Sequence, residues 1–436
     1  MMKKIIALLL TMALTLCLSA CSISEYLPSF GTPETVETVN PYYEVVPDEL
    51  TYSEGYEPVT SAYAYDALPA ESEKKLYEEL LGICYDISPD RDEDTGRYAM
   101  PQIELQGYPM KESQVRTALK AMTDDHPEIF WMTGTMGFYS DDSKTVVQVY
   151  SNYSAEEVDE RVNAVRAAAN EFYASVPDGL SEFDREVTVH DYLLEHVAYD
   201  DNVDTINFDN NDPDVYTVYG ALVNQVTVCE GYARAFQMLL NGLGVDCVGV
   251  MGQSHDQMHM WNAVRLGGSW YQADVTWDDR EETYARYIYF NVTDSFILED
   301  HTLSPLFSEL SDDQINGEDG DINGSVMNIF VPVCMDSSMG WYVNKTPVLS
   351  DFDGADVKSG LLASAENRED FFVFYIDESM DYESTVLRLF ADYPQYFFDY
   401  MNAVNNTLSD YSIDSSNASY FTHEKSRIVA VELHYY

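Results

Sequence analysis

Leu76, Leu80, Ile83, Cys84 and Ile87 recur three or four residues apart, the spacing of a single apolar helix face, so a helix is predicted here with Cys84 on its buried side. Strand-like runs follow at residues 99–106 (AMPQIELQ) and 144–153 (KTVVQVYSNY), with a helix between them that leads into DDHPEIFW. Ser154 and Glu157 have the spacing of a capping box, in which a side chain at each position satisfies an unpaired backbone N–H of the other. They precede Val158, Val162, Val165, Ala169, Phe172 and Val176, a long amphipathic helix that Pro177 and Gly179 stop. Residues 49–178 are therefore predicted to form one α+β domain.

Residues 179–308 read as a second domain. Its first helix, from about Ser181, carries Val187, Tyr192, Leu193 and Val197, and a polar loop, YDDNVDTINFDNNDPD, comes next. In TVCEGYARAF, 227–236, Thr227 and Glu230 again suggest a capping box, with Thr227 as N-cap and Cys229 at the second helical position. Tyr232, Ala233, Phe236, Leu239, Leu240 and Leu243 form the buried face of that helix, and Gly244 ends it. Two apolar runs then flank Gly267-Gly268, the pattern of a tight hairpin.

Residues 309–436 read as a linker and a C-terminal α+β domain, with strands at MNIFVPVC, DFFVFYI and RIVAVELHYY and helices near 381–392 and 395–408. Cys334 lies in the first of these apolar runs and is expected in the core. The linker includes Asp319, Asp321, Asn323 and Gly324, the first half of a calcium loop. Its twelfth position is Phe330, where a bidentate glutamate is required, so no calcium site is expected. Fold class is α+β, with a cysteine-bearing helix packed on an antiparallel sheet between flanking α+β domains.

The beginning of the chain changes the picture of where it works. Residues 1–20 join two lysines to a short apolar run and small residues, a secretion signal too short to span a membrane. The ending Leu18-Ser19-Ala20-Cys21 resembles the lipobox of bacterial lipoproteins. That resemblance implies that Cys21 is lipidated and anchors the protein outside the cytoplasm on the bacterial cell membrane. Two acyl chains on one cysteine satisfy the requirement for stable anchoring. Residues 21–48, rich in Pro, Ser, Thr and Glu, read as a tether.

With 76 acidic and 23 basic residues the net charge is −53, a field that repels nucleic acid and anionic headgroups. Nucleic-acid binding is excluded. Because the acids are dispersed, the charge suits solubility at a cell surface better than a specific cationic partner. Four widely spaced cysteines remain after the anchor, unlike a small disulfide scaffold, and are expected mostly as free thiols.

Candidate chemistry centres on Cys229. A helix N-terminus favours negative charge and can promote a thiolate, although a packing cysteine fits the position equally well. Partners lie in HMWNAVRLGGSWYQADVTWDD. With a two-residue turn at the glycines, Trp261 faces Asp274, so His259 projects on the same sheet face as Asp274, as a diagonal neighbour. Met260, Val264, Tyr271, Ala273 and Val275 form the other, apolar face, directed at the cysteine helix. Asp274 would orient His259, and His259 would exchange a proton with Cys229 and a leaving group. The Cys229 N–H is one expected oxyanion donor, with Tyr219 or Gln225 as candidates for the second. Cys247, in the apolar run GVDCVGVMG, has no neighbouring base and is expected to be structural. His255 and His259 have a zinc-ligand spacing, but the sequence has Asp256 where a zinc peptidase carries glutamate, and a strand follows directly. No metal and no cofactor are expected.

The segments HDYLLEHVAYD, YGALVNQVTVCEGYARAFQMLLNGLGVDC and HMWNAVRLGGSWYQADVTWDD, with His301 after YFNVTD, resemble the transglutaminase-like superfamily. The resemblance spans roughly 185–303. It implies a papain-like core with Cys229, His259 and Asp274 as catalytic triad, and acyl transfer through a thioester on a protein or peptide substrate, cell-wall peptide among the candidates. Hydrolysis, deamidation and cross-linking are all compatible with it. A non-catalytic surface binding or adhesion protein that retains the fold is the alternative.

Overall fold

The computed structural model describes residues 62–204, 211–255, 257–317, 326–416 and 419–436. The leader, Cys21, the tether, the first domain up to residue 61, Asp256 and the calcium-like Asp319–Gly324 lie outside the described residues. Among the described residues no helix is long and apolar enough to cross a membrane.

The chain divides into two compact units. One contains the described residues up to Trp270 together with Asp274–Thr276 and Leu298–Val333. Its N-terminal part builds on helix Glu71–Ile83, whose Leu76, Leu80 and Ile83 are buried as their spacing predicts. The helix stops at Ile83, so Ile87 falls outside it, while Cys84 closes the helix in full burial. Helix Glu112–Asp125 stands between strands Ile103–Gln106 and Lys144–Ser151. Met132–Ser140, a further strand, pairs antiparallel with Lys144–Ser151. Two glycines and a register shift break its alternation, which hides it in the sequence. Helix Ala155–Ser175 starts at the expected Ser154–Glu157 capping box.

Within this same unit the first α+β segment is bound directly to the cysteine helix. Arg234 Nη1 donates to the Thr123 carbonyl at 2.9 Å and Gln237 Nε2 to the Asp124 carbonyl at 2.7 Å. Buried Asp214 accepts from Tyr153 Oη at 2.6 Å and pairs with Arg161. The boundary expected at residue 178 is thus a change of element inside one unit.

The second sheet has the strand order His301–Leu303, Cys247–Ser254, Gln257–Leu266, Ser269–Ala273. Gly267 and Gly268 make its two-residue turn with φ of 57° and 92°, left-handed values that glycine takes without the steric cost of a side chain. Strand Gln257–Leu266 is buried along most of its length, and Asn262 Nδ2 donates to the Ala233 carbonyl at 2.9 Å. The even-numbered face of the strand therefore meets the cysteine helix Cys229–Gly242, as expected for Met260 and Val264.

MNIFVPVC is not a strand. Asn328 replaces a ladder with side-chain bonds: its Oδ1 accepts from Met251 N at 2.8 Å, and its Nδ2 donates to the Met251 and Ser304 carbonyls, both at 2.9 Å.

The other unit contains Tyr271–Ala273, Trp277–Ile297 and Cys334–Tyr436. Its sheet runs Val348–Leu349, Phe371–Ile376, Ile428–Glu432, Tyr420–His423. The expected helices form at Tyr382–Phe390 and Tyr396–Asn405, and a third forms at Ala355–Asn367. Phe372, Phe374, Phe397, Met401, Val429 and Val431 make a continuous core, with Phe374 and Phe397 stacked at 5.8 Å. Cys334 is buried, though not in a strand, and its N–H donates to Asp294.

Candidate active site

The cysteine helix begins at Cys229 itself, one residue later than the sequence suggests, so Cys229 takes the first helical position instead of the second. Its N-cap is Val228, and the Thr227–Glu230 box does not form. The reason lies in tertiary bonding: the Thr227 hydroxyl donates to the Val215 carbonyl at 2.6 Å, and Glu230 accepts from Arg234 at 2.9 Å. Without a capping side chain, the first-turn N–H groups, that of Cys229 included, stay available to a negatively charged group.

Three contacts fix the approach to Cys229. Strand Ala198–Tyr199 pairs in parallel with Val226–Thr227. Tyr232 Oη donates to the Val197 carbonyl at 2.9 Å. Gly231 passes so close to Thr227 that a Cβ there would lie 1.8 Å from the Thr227 hydroxyl oxygen. That glycine, set in the first turn of an amphipathic helix, lets strand and helix meet at this angle.

His259 stands opposite Gly252 in the ladder between Gln257–Leu266 and Cys247–Ser254. A Cβ on Gly252 would fall 2.2 Å from the Thr302 carbonyl and 2.5 Å from the Trp261 ring, so the bare backbone admits both neighbours. Trp261 stacks on His259 with centroids 5.9 Å apart and meets His301 edge-on at 5.1 Å. This buried indole separates the imidazoles from the core.

Asp274 is fully buried and its Oδ2 lies 2.7 Å from His259 Nε2. The predicted pair forms, but Asp274 is not a strand residue: the strand ends at Ala273 and a short helix starts at Val275. The same Oδ2 lies 3.0 Å from His301 Nε2, while His301 Nδ1 lies 2.7 Å from Asp300 Oδ1. With Nε2 of His259 committed to Asp274, Nδ1 is left for its hydrogen bond with the Cys229 thiol. Cys229, half-buried, His259, Asp274 and His301 thus form one connected chain.

Electrostatics follow from that chain. Burial opposes charge on His259, but the Asp274 carboxylate, by charge and by hydrogen bond, and Cys229 outweigh it and carry the imidazole up to about 10. Burial likewise opposes charge on Asp274, yet His259 and then His301 hold it well below the usual carboxylate range. Tyr199, 44 % exposed, is pushed up to about 12 by burial and then by the negative charge of Cys229, Asp201 and Asp274. Its coupling to the charge of Cys229 is one that its sequence context does not signal.

His259, Asp274 and His301 each offer one ligand atom within 4.8 Å of the others, a grouping that could hold a metal ion. A tetrahedral ion with bonds of ~2.0–2.1 Å separates its ligand atoms by roughly 3.3 Å. Separations of 2.7 and 3.0 Å onto one shared oxygen are those of hydrogen bonds instead. His255 has positive φ in an exposed hairpin turn, so the His255/His259 pair does not share a helix.

The two oxyanion candidates have other partners. Tyr219 is half-buried, its ring 4.6 Å from the Arg161 guanidinium and 6.1 Å from Phe130. Gln225 is exposed in the left-handed conformation, and its carbonyl accepts from Ala198 N at 2.9 Å. Cys84 and Cys247 are buried, and burial pushes both thiols up. Among the described residues Cys84, Cys229, Cys247 and Cys334 form no disulfide.

Residues 166–275, which include the cysteine, the histidine and the aspartate, match the model of the transglutaminase-like superfamily. This segment is a transglutaminase-like domain. The chain is 27% identical over 158 residues to kyphoscoliosis peptidase of Mus musculus, a match covering 31% of this chain and 23% of that protein. The Homo sapiens kyphoscoliosis peptidase is 28% identical over 109 residues, 22% of this chain and 16% of that one. The chain thus spans less than a quarter of the length of either relative. A solved TGase structure is 16% identical, covering 40% of this chain and 50% of that one at a TM-score of 0.25. The matched segment contains Cys229, His259 and Asp274, while His301 lies beyond it.

Proposed function

We propose that the transglutaminase-like domain performs cysteine-based acyl transfer on a peptide or protein amide. Cys229 Sγ attacks the carbonyl carbon once its proton has passed to His259. The tetrahedral intermediate then collapses: the C–N bond breaks, His259 returns the proton to the leaving amine or ammonia, and a thioester remains on Cys229. Water resolves the thioester to a carboxylic acid, or a primary amine resolves it to a new amide. Asp274 holds His259 in the orientation and tautomer that both proton transfers require. The Cys229 N–H at the helix start stabilises the oxyanion.

The observation that carries this reading is the position of His259, bonded to the buried Asp274 on one side and to the Cys229 thiol on the other. The peptidase name of the relatives agrees with amide chemistry. The protein would act outside the cytoplasm, held to the membrane through Cys21.

Incubation of the detergent-solubilised full chain with a panel of glutamine-containing and cell-wall peptides, with and without a primary amine, tests the proposal. Ammonia, an amine adduct or a cleaved product is expected, absent in Cys229→Ala. No product from the active-thiol protein across the panel would favour a binding protein that keeps the fold.

A further inference from the structure

The mechanism above leaves the buried imidazole of His301 unused. His301 is fully enclosed, and both of its ring nitrogens face carboxylate oxygens: Nε2 faces Asp274 Oδ2 at 3.0 Å and Nδ1 faces Asp300 Oδ1 at 2.7 Å. An ionised carboxylate only accepts, so the contact with Asp274 requires a hydrogen on Nε2. The ring cannot drift, because its own strand, His301–Leu303, pairs antiparallel with Cys247–Ser254 and places His301 opposite Ser254. Trp261 packs edge-on against it.

Asp274 sits between the end of a strand and the start of a short helix. One of its oxygens takes both imidazoles. We infer that His301 is a positioning residue for this site, donating from Nε2 to Asp274 Oδ2 so that the carboxylate meets His259 in one orientation, with Asp300 holding His301 by its other nitrogen. The inference rests on the proposed cysteine chemistry and extends it: the unit becomes Cys229, His259, Asp274, His301 and Asp300.

Sharing has a second consequence. An oxygen that accepts two hydrogen bonds has less charge to give each donor, so His301 restrains how strongly Asp274 holds the proton of His259. The titratable groups facing His259 are Asp274 and Cys229, with Tyr199 beside the thiol and His301 and Asp300 behind the carboxylate. Removing the His301 donor should therefore let His259 keep its proton to higher pH.

The test measures the rate of Cys229 alkylation by iodoacetate from pH 5 to about 12 in the full chain, followed by peptide mass spectrometry. Iodoacetate is anionic, so its attack is favoured while His259 is protonated, and the alkaline limb reports the loss of that proton. The amide nitrogen of glutamine reaches the place of a histidine Nε2, and that of asparagine the place of Nδ1. H301Q is expected to restore the bond to Asp274, with a rate within about threefold of wild type and an unchanged alkaline limb. H301N, which can reach only Asp300, is expected to lose about tenfold and to shift the alkaline limb upward, as is H301A. A purely structural role would lower the melting temperature of both variants and leave the limb in place. Equal profiles for H301Q and H301N, or a wild-type profile in H301A, would overturn the inference alone. A wild-type Cys229 that labels no faster than in His259→Ala would remove the cysteine chemistry and this inference together. Labelling that a chelator such as 1,10-phenanthroline changes to the H301A profile would make the cluster a metal site and overturn the positioning role.

Discussion

Replacing Asp274 by asparagine keeps the shape of the side chain and removes its charge, so it isolates what the buried carboxylate contributes. The wild-type oxygen takes two imidazole N–H groups, at 2.7 and 3.0 Å, in full burial. A hydrogen bond to a charged group contributes about 1.5–3 kcal/mol, against about 0.5–1.5 kcal/mol for a neutral one. Two weakened bonds cost about 2–3 kcal/mol, at the lower edge of what breaking a buried pair costs because the asparagine oxygen can still accept. For a unit of this size that is a fall of roughly 4–12 °C in melting temperature. The pH dependence has a definite sign. His259 is raised from 6.5 to about 10, so its contribution is fully present below 6.5 and is lost as pH rises through about 10. Asp274 is lowered from 3.8, so its contribution is present above 3.8 and is lost as pH falls below that value. The gap between wild type and D274N should be widest between pH 4 and 6.5 and should shrink by pH 10.5. Thermal unfolding followed by circular dichroism at pH 6 and pH 10.5 measures it. A gap of equal size at both pH values, or a more stable D274N at pH 6, would refute the reasoning.

Other positions give independent checks. Gly231→Ala puts a Cβ 1.8 Å from the Thr227 hydroxyl oxygen and should destabilise by about 1–3 kcal/mol while slowing Cys229 alkylation; a wild-type melting curve would contradict the packing described. Asn262→Ala removes the bonds to the Ala233 and Val248 carbonyls between the cysteine helix and the sheet, at a cost of about 1–3 kcal/mol read by chemical denaturation. Cys21→Ser should move the protein from the membrane fraction to the soluble fraction on cell fractionation, and persistence in the membrane would exclude lipid anchoring through that residue.

The residues of the candidate site were legible because each is tied to a local pattern. An amphipathic run marked the helix of Cys229, and the turn at Gly267-Gly268 returned the chain so that Asp274, just past the strand, meets His259. What escaped depended on tertiary partners. The Thr227–Glu230 box looks the same in the sequence as the Ser154–Glu157 box, but only the latter forms, because the Val215 carbonyl and Arg234 claim the Thr227 and Glu230 side chains. Asn328 makes an apolar run extended without making it a strand, through bonds to Met251 and Ser304 that no periodicity encodes. Helix Ala355–Asn367 carries Gly360 and serines that blur its apolar stripe, and only Val357, Leu361 and Ala365 are buried. His301 was part of the recognisable stretch, but its bond to Asp274 spans 27 residues and had no local signal beyond the preceding Asp300.

The most direct measurement of the central claim is alkylation of the native full chain by iodoacetamide at pH 6.5, with each cysteine quantified by mass spectrometry. A thiol of ordinary pKa is only about 1 % ionised there. Fast labelling is expected at Cys229, little at the buried Cys84, Cys247 and Cys334, and at least a tenfold slower reaction at Cys229 in His259→Ala. Labelling of Cys229 at the same rate in wild type and His259→Ala would contradict it.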